Sequence, residues 1–365
     1  MRALWLVRSN LTRHPGGDTT QILKTAAGLR AIGVQVTLTS ELSAFARAND
    51  YDVAHLFHLD RLWENIPASR VAANRGKPIA LSTIYWPSDE FDRLARTGVQ
   101  GRLSRILGTN GYQSLRQAQR GILAAIETRN LRSAIAGITR FRAGVRALLR
   151  RASVILPNSA VERDCVWREF GVQTPCQVVP NAVDPAIFGG APSRDGREGV
   201  LCVGRIEPRK NQLALIRAMR DSSTPLTFVG ASGRFSRDYA AECRRLAGPN
   251  TRWIEQVEPA ALPPLYRAAK AHACVSWYET PGLASLEAAL CGCAIVVTPG
   301  GSTREYFQND AHYSEPDKPE TIRAAIEAAL AQPAPPALAQ RVAREYNWAA
   351  AAGATLAAYQ MIAAS

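Results

Sequence analysis

The chain has 365 residues, a net charge of +13, and 47% hydrophobic against 21% charged residues. That balance excludes a disordered or fibrous chain and suits two domains of roughly 150–200 residues each. No run approaches the ~20 apolar residues of a spanning helix, and 7 cysteines in so large a chain read as reduced thiols, so the expected compartment is the cytoplasm.

In chain order, Leu4–Val7 reads as a first strand that Arg8 ends, and His14 to Thr19, with Gly16-Gly17, as a loop. Thr20 to Ile32 carries apolar residues at 22, 23, 26 and 29, which is helical spacing, and Gly33 stops it. Val34–Thr39, Tyr51–Leu59, Pro78–Ile84 and Ser153–Leu156 are further strand signals, and Val161–Phe170 is helical. Residues 180–199 are rich in Pro, Gly and charge and read as a linker. A second alternating set follows. Its strands are Val200–Val203, Leu226–Val229, Thr251–Ile254, Ala273–Ser276 and Ala294–Val297. Its helices are Gln212–Arg220, Phe235–Leu246, Ala260–Ala269 and Leu283–Leu290, and Ala349–Ala364 forms a helical tail. Strands alternating with helices predict an α/β fold of two doubly wound parallel sheets, with ligands in a cleft at the carboxyl ends of the strands. The expected domains are 1–185, 186–348 and a tail 349–365 that packs back on the first.

The charge is local. Between Arg93 and Arg151 stand 13 arginines and one acid, Glu127, while the rest of the chain is close to neutral. From Leu131 onward, Ile135, Ile138, Phe141, Val145, Leu148 and Leu149 share a helical face, with Arg129, Arg132, Arg140, Arg146 and Arg150 mostly opposite. This is either a core-packed helix with a solvated back or a surface drawn to an anionic membrane. Nucleic acid is a poorer fit, and no nucleic-acid partner is expected, because basic-and-aromatic interleaving is sparse and no nucleic-acid motif is present.

Three stretches carry chemistry. Ser276 to Glu287 runs from a strand end through Glu279 to Gly282, which opens a helix bearing Glu287. A helix tip with free N–H groups suits a phosphate, and Glu287 suits vicinal hydroxyls. The plainer alternative is a solvated loop acid and a surface helix acid. Gly204-Arg205 to Lys210-Asn211 follows a strand and is either a diphosphate clamp or a solvated basic turn. Gly16-Gly17 precedes a helix and is either a phosphate contact or only a turn. The chain lacks a P-loop and a strand–helix G-x-G-x-x-G, which disfavours P-loop NTPases and dinucleotide oxidoreductases. His55 and His58 form a strand-end pair, and too few further ligands stand nearby in sequence for a metal site. Cys291-Gly292-Cys293 reads as a packed helix end.

In order along the chain, Pro15-Gly16-Gly17, Ile155 to Ala160, Val178 to Asp184 with Phe188, Gly204-Arg205 to Asn211, Val229 to Gly233, Glu279 to Glu287 (E-x7-E) and Gly300-Gly301 to Glu305 resemble the motifs of glycosyltransferase family 4. Ala182 stands where the family usually has glycine. The resemblance implies a GT-B fold and a retaining transfer of sugar from a nucleoside diphosphate. It casts Arg205 and Lys210 as the diphosphate clamp, Glu279 as a contact to the donor sugar and Glu287 as the ribose contact. Gly17, Gly282, Leu283 and Ala284 would bind the donor through backbone, and Val257 would lie near the base. It implies no cofactor and no metal. The expected donor is a nucleotide sugar, and the expected acceptor is a saccharide or lipid-linked saccharide of a bacterial surface glycan such as lipopolysaccharide. The family's acceptor-side histidine is replaced by Ile84, leaving His55, His58, Tyr85 and Asp89 as candidates for a polar group there. A soluble glycoside product, or a non-catalytic basic binding protein on the same scaffold, are the alternatives.

Overall fold

A computed structural model describes residues 1–11, 16–96, 98–128, 140–190, 196–233, 236–280 and 282–363. Pro15 of the first glycine loop, Leu131, Ile135, Ile138, Arg129 and Arg132 of the basic segment, Phe235, Pro281 and Ala364 lie outside the described residues. The chain divides into two compact units. Unit 1 comprises Met1–Arg93, Thr97–Pro180 and Trp348–Ser365, and unit 2 comprises Leu94–Arg96 and Asn181–Asn347.

Unit 1 holds strands β1 (Arg2–Leu6), β2 (Gln35–Thr39), β3 (Val53–Phe57), β4 (Ile79–Ser82) and β5 (Val154–Ile155), all parallel, in the order β2-β1-β3-β4-β5. Alternation along these strands sends Leu4, Leu6, Ala54, Leu56, Ile79, Leu81 and Ile155 into one core. The helix Phe141–Arg151 adds Phe141, Val145, Leu148 and Leu149 to it. The residues between them face the other way. There Trp5 packs on Phe57 and on His55, and the helix Trp348–Ala363 supplies Tyr359. Trp5 Nε1 donates to the Tyr359 hydroxyl at 2.8 Å, and that same oxygen lies 2.6 Å from His55 Nδ1. The Trp348–Ala363 helix also crosses the Gly17–Ala31 helix at Gly28, where an added Cβ would stand 2.8 Å from Ala352 Cβ.

Unit 2 holds β6 (Val200–Val203), β7 (Leu226–Val229), β8 (Thr251–Ile254), β9 (Ala271–Cys274), β10 (Ala294–Val297) and β11 (Ala311–Tyr313), parallel in the order β11-β10-β9-β6-β7-β8. Val200, Cys202, Phe228, Ala273 and Val296 pack into one face, and Leu201, Val229, Cys274, Ile295 and Val297 into the other. Both faces are therefore covered, as in a doubly wound sheet. β9 starts two residues earlier than the sequence reading puts it. Residues after Cys274 leave the ladder because the β6 loop captures them: Asn211 Nδ2 donates to Val275 O and the Trp277 N–H donates to Arg209 O. Within the 180–199 linker, Asp184 caps a single helical turn, Pro185–Phe188, by accepting from the Ala186 N–H.

The basic segment begins with a long helix, Gly98–Thr128, kinked at Gly108, where φ is +63°. Of the arginines beyond it, Arg142 donates to Glu169 O and Arg146 to Phe170 O. These two guanidiniums cap the last carbonyls of the helix Ala160–Phe170. Arg142 is half-buried, whereas Arg140, Arg146 and Arg150 are exposed on the back of the Phe141–Arg151 helix. All 7 cysteines are free thiols. Gly292, at φ +80°, ends the Leu283–Leu290 helix between Cys291 and Cys293, and its N–H donates to Ala289 O.

Candidate functional site

In unit 2 the strand order reverses direction at β6, which lies between β9 and β7. Loops from neighbouring strands part on opposite sides there and leave a crevice at the carboxyl ends, the usual ligand position in open α/β sheets. The β6 loop enters it through Gly204. A one-turn 3-10 helix, Pro208–Lys210, ending at Asn211 with φ +60°, then turns Arg209 and Lys210 to the same side. Lys210 Nζ lies 2.5 Å and Arg209 Nη1 3.3 Å from Glu279 Oε1. Arg209 also donates to Tyr278 O at 3.0 Å and to Glu207 Oε1 at 3.0 Å. Burial opposes ionisation of Glu279, but the charges of Lys210 and Arg209 win and hold its carboxyl down at about 2. Burial likewise disfavours charged Lys210, and Glu279 more than compensates, so the lysine titrates above its ordinary range.

The backbone around Glu279 is fixed from three sides. The Glu279 N–H donates to Gly300 O and the Ser302 N–H to Glu279 O. A Cβ on Gly301, at φ +92°, would sit 1.9 Å from Glu279 O, so this contact admits only glycine. Gly230 plays the same part after β7, where an added Cβ would stand 2.1 Å from Gly204 O. Asn181, just past the unit boundary, donates from Nδ2 to Thr280 O at 2.6 Å.

Gly282, at φ +90°, is the N-cap of the helix Leu283–Leu290. Leu283 and Ala284 therefore carry first-turn N–H groups beside the Lys210–Glu279 pair. Glu287, one turn on, accepts from the Tyr266 hydroxyl at 2.8 Å. Burial pushes its carboxyl up to about 7, against the pull of that hydrogen bond. Val257 follows β8 and is half-buried against the same core face.

The structure thus brings Lys210, Glu279, Gly282, Leu283, Ala284 and Glu287 to one strand-end region, and adds Arg209. Sequence reading passed over Arg209, although its position beside Lys210 in a three-residue turn was the available signal. Arg205 stands apart from the pair: its side chain is 58% exposed and lies 3.6 Å from Glu207 Oε2.

In unit 1 the reversal falls between β1 and β3. Arg8, after β1, donates to Asp18 Oδ2 at 2.6 Å, and His58, after β3, stands 3.4 Å from the same oxygen. Asp18 follows Gly17, the first residue of its helix. Burial works against the Asp18 charge, but the bonds from His58 and Arg8 outweigh it and hold the carboxyl well below the usual range. Two non-glycine residues at these strand ends have left-handed backbone, His58 at φ +67° and Ile84 at φ +39°. Each is held by a buried polar side chain. Asn65 Nδ2 donates to Phe57 O and His58 O. Glu162 Oε1 accepts from the Thr83 hydroxyl and the Tyr85 N–H, the two neighbours of Ile84. Such strain persists only where its surroundings over-determine it, and it clusters at functional sites.

Two acceptor-side candidates are corrected here. His55 is 2% exposed, and its ring nitrogens are taken up by the Tyr359 hydroxyl and, at 2.9 Å, by Ser82 Oγ. Burial pushes it down to about 3, which makes it a neutral core histidine. Tyr85 packs on Phe141 and Phe170 and donates to Glu169 at 2.9 Å. His58 stays at the strand-end edge, and Asp89 is exposed at the start of the helix Asp89–Leu94. Among the described residues, no group of three or more His, Cys, Asp or Glu is placed to hold a metal ion.

Two parallel α/β sheets of this kind match the GT-B fold of solved glycosyltransferases. Sucrose-phosphate synthase from Thermosynechococcus elongatus superposes with a TM-score of 0.74 at 16% identity, covering 100% of this chain and 99% of that one. Anabaena HepE, in complex with UDP and glucose, gives 0.71 at 14% identity over 99% of both chains. In sequence, 256 residues are 30% identical to D-inositol 3-phosphate glycosyltransferase from Kineococcus radiotolerans, covering 60% of this chain and 59% of that one. The chain thus spans about three-fifths of the length of that curated relative. Residues 184–347 match the family model described as glycosyl transferases group 1.

Proposed function

We propose that the protein is a retaining glycosyltransferase. It moves a sugar from a nucleoside diphosphate to a saccharide or lipid-linked acceptor in the synthesis of a bacterial surface glycan, working in the cytoplasm at a membrane face. What carries the reading is the Lys210–Glu279–Arg209 cluster beside the Gly282 helix tip, a compact source of positive charge and N–H donors at a strand-order reversal. The donor diphosphate lies against Lys210, Arg205 and the first-turn N–H groups of Leu283 and Ala284. Glu279 meets the donor sugar and Glu287 the ribose. As the bond from the anomeric carbon to phosphate oxygen breaks, charge grows on the diphosphate and the cations stabilise it. The acceptor oxygen bonds to the same face of that carbon and passes its proton to the departing phosphate. Arginine and lysine supply the positive charge, so the reading calls for no metal. In unit 1, His58 with Asp18 and Arg8 forms the acceptor side, with Gly17 opening the adjacent helix.

HepE is known in complex with UDP and glucose, and uridine diphosphate is therefore the first probe. Calorimetric titration with UDP, GDP and ADP is expected to show one binder. A panel of sugars on that nucleotide should then show one slowly hydrolysed, with retention at the anomeric centre. Absence of binding by all three nucleotides would overturn the reading in favour of a non-catalytic binding protein. A product formed only on water-soluble acceptors would replace the surface-glycan assignment with a soluble glycoside.

A further inference from the structure

The Gly98–Thr128 helix is amphipathic in the reverse sense for a water-facing helix. Several of its uncharged polar residues turn inward. Ser104 is buried and donates to Asp92 O and Gly101 O. Gln117 is 1% exposed and donates to Asp60 O, Gln113 donates to Ser88 Oγ, and Ser114 Oγ accepts from the Phe141 N–H. Seven of its large apolar residues turn outward, while Tyr112 is buried. Before the kink, Val99, Ile106 and Leu107 follow the spacing i, i+7, i+8 and are 73%, 78% and 45% exposed. After it, Leu115, Ile122, Leu123 and Ile126 repeat that spacing and extend it to i+11, with exposures of 46%, 49%, 53% and 70%. Each segment therefore presents one apolar stripe to solvent, contrary to what burial in water would select.

A basic groove borders the second stripe. It is lined by Asn110 and Ser114 of this helix and by Arg140, Arg142, Arg146 and Arg150 of the next one, with no acidic side chain in its lining. Arg102, Arg105, Arg116 and Arg120 lie along the stripe helix itself. Apolar residues flanked by arginine in this way match one surface chemistry, acyl chains beneath a layer of phosphates.

We propose that the Gly98–Thr128 helix, with its arginine groove, seats unit 1 on an anionic lipid bilayer. The apolar stripe enters the interface and the arginines meet the headgroup phosphates. This deepens the membrane-face element of the proposed function by naming the surface and its two components, and it does not depend on glycosyl transfer. The two components respond differently to salt: the arginine contribution is screened, the apolar one is not.

The test is sedimentation of the full chain with phosphatidylcholine vesicles, with and without phosphatidylglycerol, at low and high salt. Wild type should bind the anionic vesicles and leave the neutral ones largely free. Ile122→Asn with Ile126→Asn should weaken binding by at least ~10-fold at both salt concentrations. Arg140→Gln with Arg150→Gln should weaken it mainly at low salt. Both double variants alter exposed side chains, so their melting temperatures and nucleotide binding should match wild type. Those controls separate failure of this surface from failure of the donor site. Wild-type protein that ignores both vesicles, or apolar variants that bind like wild type, would overturn the proposal. So would a wild-type dimer that the apolar variants convert to monomer, because a second copy would then be the stripe's partner.

Discussion

Lys210→Met isolates the central ion pair of unit 2. In the intact cluster the Glu279 carboxyl is depressed from 4.5 to about 2. At ~1.4 kcal/mol per pH unit, that depression contributes about 3 kcal/mol of stability at neutral pH. The sign follows from the direction of the shift. The contribution is present above the unfolded value of 4.5 and disappears as pH falls through 2. Losing Lys210 leaves Arg209 at 3.3 Å as the remaining cation against a buried acid. Breaking a buried pair on one side costs ~3–5 kcal/mol, and the surviving arginine reduces this to about 2–3 kcal/mol here. Lys210→Met with Glu279→Gln removes both charges and should recover most of the loss. Hydrogen exchange of the β6 and β9 amides, measured from pH 7 down to pH 3, reports this unit locally. The single variant should be less protected than wild type at pH 7 and should lose less further protection than wild type as pH falls below 4.5, because its carboxyl is no longer held as far below the unfolded value, and the double variant should show little pH dependence. Turnover tells the two roles apart, since both variants should be slowed by ~10²–10³-fold whatever their stability. A coupling energy under ~0.5 kcal/mol, or a double variant no more stable than the single, would refute the assignment of Glu279 and Lys210 as a buried pair.

Glu287 has the opposite linkage. Its carboxyl is raised from 4.5 to about 7, so its contribution is full below 4.5 and is lost as pH rises through 7. Glu287→Gln should flatten the fall in melting temperature between pH 5 and pH 8 and weaken nucleotide binding, both readable by thermal shift with and without nucleotide. Arg205→Ala should leave the melting temperature within a degree or so, because the side chain is exposed, while lowering kcat in a steady-state assay by ~10²-fold or more. Tyr359→Phe strips a shared hydroxyl from Trp5 and His55 in a buried setting and should cost about 2–4 kcal/mol. Urea unfolding followed by tryptophan fluorescence, with hydrogen exchange to place the loss in unit 1, measures it.

Much of the architecture was legible because strand alternation and short apolar runs are local signals. Val200–Val203, Leu226–Val229, Thr251–Ile254 and Ala294–Val297 were readable to the residue. The short edge strand Ala311–Tyr313 and the helix Leu62–Asn74, which has Pro67 inside it, carry weak local signals and were not. Spacing gives the period of a helix but not which face turns inward. The Phe141–Arg151 helix buries its apolar face in the ordinary way, whereas Gly98–Thr128 buries glutamine and serine, and only the hydrogen bonds made by neighbours such as Asp60 and Ser88 reveal that reversal. The E-x7-E spacing singled out a loop and helix that lie at the strand-order reversal of unit 2, yet the cation nearest the pair after Lys210 is Arg209, selected by a 3-10 turn that composition does not encode. His55 and His58, three residues apart, look alike in sequence. One sits within β3 facing Trp5 and Tyr359, and the other turns out of the strand at a left-handed residue pinned by Asn65.

The bond between Trp5 and Tyr359 joins residues 354 positions apart. A ribosome delivers the Trp348–Ala363 helix after every strand of unit 1 and all of unit 2 has emerged. One flank of the first sheet, with an indole and an imidazole awaiting the same hydroxyl, stays open until then. Closure of the amino-terminal half therefore waits for residues 348–363, and a nascent chain arrested before residue 348 would present that uncovered flank to chaperones.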